Sequence, residues 1–522
     1  MVEFEVFERD LLARIGRIKT KSGVIETPSF LPVINPVRES VEPKELWENF
    51  NCKALITNAY IVKKHFGDDA KLKGIHEILK YPGVIMTDSG AYQILVYGSL
   101  EITNDEIIRY QEEINTDIAT ILDLPTGWDV SVDYAKYTVE ETLRRAREWA
   151  DIRSRTDIVW VGPIQGGRYI DLIAESARDM GKLPFDIHAL GSPTRVMEQY
   201  LFDVLVDMIV TAKMNSPIER PFHLFGAGHP IMFSLAVALG CDLFDSAAYS
   251  IFAREGRYLT DHGTIRIEDI EYLPCSCPVC VKYSPRDLMD MPSKDREREL
   301  SRHNLYVCFT EIRRIKQAIV EGRLWEYLEA RAHTHPSLLK ALKRLKKYCE
   351  YIERGSPYSK KKGLFFFGSI DLIRPEVIRH YRRLKERYAP PKWAKTLVLI
   401  PDSETKMNRR RKYVKRVVSR VCRRLGLYPG EIHVCFYSPP FGVIPIELAE
   451  TYPLYQYEYA YPPDHETIEA IAEWVSEYIA ANSYMRVIFL ADRGGWSEEA
   501  ANLCVRKIRE REVKVDILVF LD

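Results

Sequence analysis

Between residues 54 and 244, short runs rich in Val, Ile and Leu recur at intervals filled by longer amphipathic stretches. That alternation restricts the chain to folds in which helices cover parallel strands. The runs are Ala54–Thr57, Gly83–Thr87, Ile118–Leu122, Ile158–Val161, Asp186–Leu190, Pro221–Phe225 and Leu243–Phe244, with helical segments such as Val139–Ile152 and Val196–Lys213 between them. Seven or eight such units suit a (β/α)8 barrel, for which about 250 residues is typical. An open parallel sheet carries the same alternation and is the competing arrangement.

Past Arg331 the pattern changes to helices, Pro336–Arg354 and Arg374–Tyr388, and the Pro390–Pro391 pair punctuates a second change. Thr396–Ile400, Ile432–Phe436, Arg486–Leu490 and Val515–Val519 then read as buried strands of a small α/β domain. The expected organisation is a catalytic α/β barrel over 1–335, a helical connecting domain over 336–395 and a small α/β domain over 396–522. No apolar run approaches the ~18 residues needed to cross a membrane, so the expectation is a cytoplasmic protein without a membrane partner.

Lys plus Arg and Asp plus Glu both number 74 in the 522 residues, but the balance is uneven along the chain. Lys406 to Arg424 holds ten basic residues and no acidic one, and Lys340–Lys347 and Lys360–Lys362 are basic as well. A cationic face in the last third is the expectation, suited to nucleic-acid phosphates. The apolar stripe Val414, Val417, Val418 and Val421 under the longest run is equally what a solvated helix face would show.

Two sets of residues carry chemistry. Cys275, Cys277 and Cys280, followed by His303, have spacings that can enclose a zinc ion; four protein ligands leave no position for water, so such a site is structural. His333 and His335 are the other nearby candidates for the fourth ligand. The second set lies at the ends of predicted strands: Asp88, Asp123, Gln165 and Asp245, with glycines at Gly90, Gly166–Gly167, Gly191, Gly226 and Gly228. In a barrel these ends converge on one rim, where active sites are built. Two carboxylates on one rim suit an acid/base and nucleophile pair acting at an anomeric carbon, with oxygens about 5 Å apart for double displacement. The glycines leave room for a flat heterocycle, on which Tyr92 can stack. Capping of the following helices is the competing role for the aspartates.

Thr87-Asp-Ser-Gly-Ala-Tyr-Gln93, Gln165-Gly-Gly167, Phe225-Gly-Ala-Gly-His-Pro230, Asp242-Leu-Phe-Asp-Ser246 and the Cys-x-Cys-x-x-Cys cluster occur in the order seen in tRNA-guanine transglycosylases. The chain resembles that family over about residues 5–340, and most of all its archaeal branch, because a long carboxy-terminal extension follows. The resemblance implies exchange of guanine at position 15 of the tRNA D-arm for the free base 7-cyano-7-deazaguanine (preQ0), on the way to archaeosine. By motif, Asp245 becomes the nucleophile and Asp88 the general acid/base. Asp123, Gln165, the main chain at Gly191 and Ser192, Ser89 and Tyr92 become base-binding residues. Partners implied are tRNA, preQ0 or guanine, and a second copy of the chain in a homodimer. No PUA module is recognised, and Pro401-Asp-Ser-Glu-Thr-Lys-Met stands where related modification proteins have a Pro-Cys-Ser and Lys-Pro-Tyr signature. A catalytically silent tRNA-binding paralogue and a nucleoside hydrolase are the competing functions; a silent paralogue is expected to lose an acid that this chain keeps.

Overall fold

A computed structural model describes residues 3–91 and 102–521, which divide into two compact units, Met1–Leu345 and Lys346–Asp522. The first begins with an antiparallel sheet of β1 (Phe4–Asp10), β2 (Ala13–Lys19) and β3 (Val24–Glu26). Eight parallel strands follow: β4 (Ser29–Ile34), β5 (Ala54–Asn58), β6 (Val84–Asp88), β7 (Ile118–Thr120), β8 (Val159–Ile164), β9 (Ile187–Leu190), β10 (Phe222–Leu224) and β11 (Leu243–Ser246). They pair in chain order and β11 closes on β4, so the barrel is shut and the open-sheet arrangement is excluded.

The seven runs legible in the sequence are β5 to β11. The eighth strand, β4, escapes the pattern because Pro32 interrupts it, yet Pro32 lies in register opposite Ser246 of β11. Inside the barrel, Leu31, Ala54, Ile56, Val84, Met86, Ile118, Val159, Val161, Ile187, Ala189 and Leu243 form one buried cluster, which Ile18 and Ile25 of the amino-terminal sheet join. Burial on both faces is why these strands read as continuous apolar runs and not as alternating ones. Outside, the helices bury their own stripes; Trp149 of helix Val132–Ile152, for example, stacks on Phe185 with ring centroids 4.0 Å apart.

After β11 and helix Ala248–Arg254, the hairpin β12 (Arg257–Leu259) and β13 (Thr264–Arg266) leads through short helices to the long helix Ser293–Glu321. Its first half packs over the hairpin, with Leu300 in a small core that includes Tyr258, Ile267, Cys277 and Val279.

In the second unit, β14 (Leu364–Phe366) pairs with β18 (Tyr457–Tyr459). A five-stranded sheet holds β15 (Thr396–Pro401), β16 (Ile432–Ser438), β17 (Gly442–Pro445), β19 (Arg486–Ala491) and β20 (Asp516–Leu521) in the order β17-β16-β15-β19-β20, with β17 antiparallel. Successive strand residues face opposite sides. Val398 and Ile400 therefore meet Val414, Val417 and Val421 of helix Arg411–Leu425 on one face. Leu397 and Leu399 meet Ile471 and Val475 of helix His465–Ala481 and Ala501 of helix Trp496–Glu510 on the other. No helix among the described residues is long and apolar enough to cross a membrane.

Candidate active site and metal centre

The barrel brings the strand-end residues to its carboxyl-terminal rim. Asp88 is the last residue of β6 and Asp245 lies in β11, with β4 and β5 between them on the shorter side of the circle; Asp123 follows β7, Gln165 follows β8, and Gly191 and Ser192 follow β9. All three carboxyls are largely withdrawn from solvent, and each has a different set of neighbours.

Asp88 accepts from the Asn58 side-chain amide and the Gly90 N–H, both at 3.3 Å, through Oδ2. Burial, with the negative charges of Asp123 and Asp245 adding to it, pushes its pKa up to about 7, against the pull of the Gly90 and Ser89 N–H groups. Asp123 and Asp245 are thus near enough for their charges to be felt at Asp88. Asn58 ends β5, and its side-chain oxygen also caps the helix Ala59–Lys73 by accepting from the Ile61 N–H at 3.0 Å, which fixes the amide toward Asp88.

Asp123 is also pushed up, to about 6, chiefly by burial and opposed by the hydrogen bond from Gln165. Gln165 Nε2 donates to Asp123 Oδ2 at 2.5 Å, and Gln165 Oε1 accepts from the Thr126 N–H at 3.0 Å and the Ser192 hydroxyl at 2.9 Å. Gly191 is required there: a Cβ on it would fall 2.2 Å from Gln165 Nε2. The Gly191 N–H is committed to the Ile164 carbonyl at 2.9 Å, and Ser192, with φ at 60°, follows it in that turn. The Ser89 hydroxyl is buried and finds no partner among the described residues, which leaves it available to a ligand. Tyr92 lies outside the described residues.

Among the described residues, Asp245 takes both of its hydrogen bonds on Oδ1, from His223 Nε2 at 2.8 Å and from the Gly226 N–H at 3.1 Å. His223 is fully buried in β10. Sequence reasoning missed both His223 and Asn58. The signal for His223 was a single imidazole inside the apolar run Pro221–Phe225, one strand before the nucleophile candidate.

Cys275, Cys277, Cys280 and His303 come together with one ligand atom from each lying within 4.8 Å of the others; His333 and His335 are not among them. His303 sits on the long helix, and Cys277 caps the short helix Pro278–Lys282. Cys277 Sγ lies 3.6 Å from Cys280 Sγ and 3.4 Å from His303 Nδ1, and Cys280 Sγ lies 3.3 Å from the same nitrogen. A tetrahedral ion with bonds of about 2.3 Å to sulfur and 2.0 Å to nitrogen separates its ligands by about 3.5–3.8 Å, so the cluster needs only a slight expansion to hold one. His303 Nε2 donates to the Leu259 carbonyl at 2.8 Å, which turns the Nδ1 lone pair toward the thiols, as a metal-binding imidazole requires. Tyr258 stacks on the same ring at 3.6 Å.

The basic tracts divide. Lys360 is buried against Glu376 at 2.9 Å, Arg409 is buried against Asp402, and Lys340 and Arg344 pair with Asp203 and Asp207. Helix Arg411–Leu425 differs: its valines turn inward, while Arg411, Lys412, Lys415 and Arg416 are exposed and have no acidic partner among the described residues.

Known proteins match most of the chain. The family model for queuine tRNA-ribosyltransferases matches residues 10–337, and that of a domain of unknown function, DUF5591, matches residues 377–516. A tRNA-guanine(15) transglycosylase of Saccharolobus solfataricus is 44% identical over 500 residues, covering 93% of this chain and 96% of that relative. One of Aeropyrum pernix is 43% identical over 489 residues, covering 92% of each. One of Methanocaldococcus jannaschii is 39% identical over 503 residues, covering 93% of this chain and 74% of the longer relative.

Proposed function

Because the chain belongs to the queuine tRNA-ribosyltransferase family, we propose that it exchanges guanine at position 15 of tRNA for preQ0 through a covalent glycosyl-enzyme, a step toward archaeosine. The observation that carries this reading is the meeting of three differently partnered carboxyls on one barrel rim, one of them raised to about 7. Asp245 attacks C1′ of the flipped nucleotide. As the C1′–N bond breaks, its electrons go to guanine and Asp88 supplies the proton. After guanine leaves, Asp88 takes a proton from preQ0, whose nitrogen bonds to C1′ and displaces Asp245. A group titrating near neutrality suits both transfers, since general acid/base catalysis is most effective with a pKa near the working pH.

Asp123 accepts from the amino and ring N–H groups of the base, an edge that a carboxylate matches with two acceptors. Gln165 holds Asp123 in place, and the Ser192 N–H and Ser89 hydroxyl face the remaining polar groups. The cysteine and histidine cluster holds one zinc ion, which supplies a rigid cross-link and no reactive position. It ties the segment Cys275–Cys280, which follows the hairpin β12–β13, to the long helix. The exposed basic face of helix Arg411–Leu425 contacts tRNA phosphates. We place the protein in the cytoplasm and take it to work as a homodimer.

The test follows radiolabelled guanine into unmodified tRNA, then its displacement by preQ0. Asp245→Asn should abolish both and also the enzyme–tRNA adduct that survives denaturation. Full exchange in that variant overturns the assignment of the nucleophile.

A further inference from the structure

We propose that His223 is a positioning residue for this exchange: together with the Gly226 N–H it engages one oxygen of Asp245, Oδ1, and leaves the other, Oδ2, to bond with the ribose. The inference rests on Asp245 being the nucleophile. A carboxylate only accepts, so His223 Nε2, 2.8 Å from Oδ1, carries the proton between them. The Gly226 N–H reaches the same oxygen at 3.1 Å. Two donors use the lone pairs of Oδ1, and no donor among the described residues reaches Oδ2. Attack through Oδ1 would break two hydrogen bonds at a carboxyl that is itself buried, where replacing them is costly. Attack through Oδ2 keeps both.

The chemistry balances with Oδ2 as the reacting atom. Its lone pair forms the C1′–O bond while the C1′–N electrons leave with guanine; Oδ1 becomes the ester carbonyl and still accepts both N–H groups. In the second half the incoming base bonds to C1′, and the C1′–Oδ2 electron pair returns to the carboxylate. The two donors then face the charge as it develops, which is the arrangement that makes preorganised dipoles effective.

Both donors are fixed by the scaffold. His223 is paired in the barrel ladder, in register with Ala189 of β9 and Leu243 of β11, and the Phe225 ring lies 4.6 Å from the imidazole. Gly226 presents its N–H from a backbone with φ at 69°, and a Cβ there would come 2.8 Å from Thr194 Oγ1. Nδ1 of His223 is buried without a partner among the described residues, so among them the Asp245 contact is the one polar interaction of the ring and gives the histidine its purpose in an otherwise apolar strand.

His223→Phe, His223→Ala and His223→Gln are compared with the parent in single-turnover formation of the denaturation-resistant tRNA adduct and in steady-state exchange. Phe and Ala both remove the N–H donor, one with the ring volume kept and one without; Gln retains a donor. We expect adduct formation and kcat to fall about 100-fold in both Phe and Ala, as for loss of one oxyanion-type donor, with KM for tRNA within about threefold and Gln at least about tenfold above both. A Phe variant within about threefold of the parent, or a Gln variant no better than Phe and Ala, overturns the proposal. Asp245→Asn in the same series separates the two readings. If it abolishes exchange while His223→Phe does not lower it, His223 alone is misassigned; if it retains exchange, both assignments fall.

Discussion

Replacing Asp88 by Asn should stabilise the barrel, and by an amount that grows with pH. The carboxyl moves from its ordinary value of 3.8 to about 7 in the folded protein. The folded state therefore holds its proton more tightly than the unfolded chain does. Stability from this group is complete below the unfolded pKa, declines by about 1.4 kcal/mol for each pH unit above it, and stops declining once the folded pKa is passed. A shift of about three units sets an upper limit of about 4 kcal/mol. Asp88 is only half-buried, so water screens part of the charge and about 2 kcal/mol is the expected effect.

Asn is nearly the same size, and its side-chain oxygen can still accept from Asn58 and Gly90, which separates loss of charge from loss of packing. For a unit of this size 2 kcal/mol corresponds to about 2–4 °C. Calorimetry of the full chain from pH 4 to 8.5 should show the barrel transition of Asp88→Asn coinciding with the parent near pH 4 and lying about 2–4 °C above it at pH 8. The gain should be complete by pH 7.5. A gap that is constant across the range, or one that narrows as pH rises, refutes the argument that Asp88 is held protonated by burial and by its acidic neighbours. The same variant should lack guanine exchange, so that the strain is retained for chemistry.

In single-turnover guanine release, the rate should fall about tenfold per pH unit above about 7 as Asp88 loses the proton it must donate; a rate that climbs from pH 7 to 9 contradicts that role. Metal analysis should find one zinc per chain, and Cys280→Ala should lose it and lower the melting of the barrel unit by several degrees; an equally stable, metal-free variant would remove the structural role. Charge reversal of Lys412, Lys415 and Arg416 together should weaken tRNA binding at least tenfold and reduce the slope of log affinity against log salt by about 3. Unchanged binding would return that helix to a merely solvated face.

How much of this could be read before folding depends on whether the deciding neighbour lies near in sequence. Asp88, Asp123, Gln165 and Asp245 were legible because a barrel assigns a place to every strand end, and the apolar runs mark those ends. The cysteine cluster was legible because three ligands fall within six residues. The first barrel strand was hidden by Pro32, which costs β4 its apolar signature but not its place opposite β11. Lys360 and Arg409 read as part of a cationic face, and only the fold supplies Glu376 and Asp402 to bury them. His223 is the sharpest case. Within its own strand it looks like an interruption, and its purpose appears only when Asp245, 22 positions later, arrives on the adjacent strand.

Strand position alone therefore does not assign roles to the three rim acids, since all three lie at or near carboxyl ends of barrel strands. Their partners do. Asp123 is held by an amide that is itself fixed from two sides by Thr126 and Ser192, which gives a stationary acceptor for a base. Asp88 has only weaker N–H contacts and two like charges nearby, which keeps a proton within reach at neutral pH. Asp245 has two donors crowded on one oxygen, and the other meets no donor among the described residues. Environments that push identical carboxyls apart are how one site can obtain an acid, a base and a nucleophile from the same side chain, as we propose for these three. Here the separation is built from Asn58, Gln165, His223 and one glycine N–H, and removing those partners should blur the roles even with every aspartate in place.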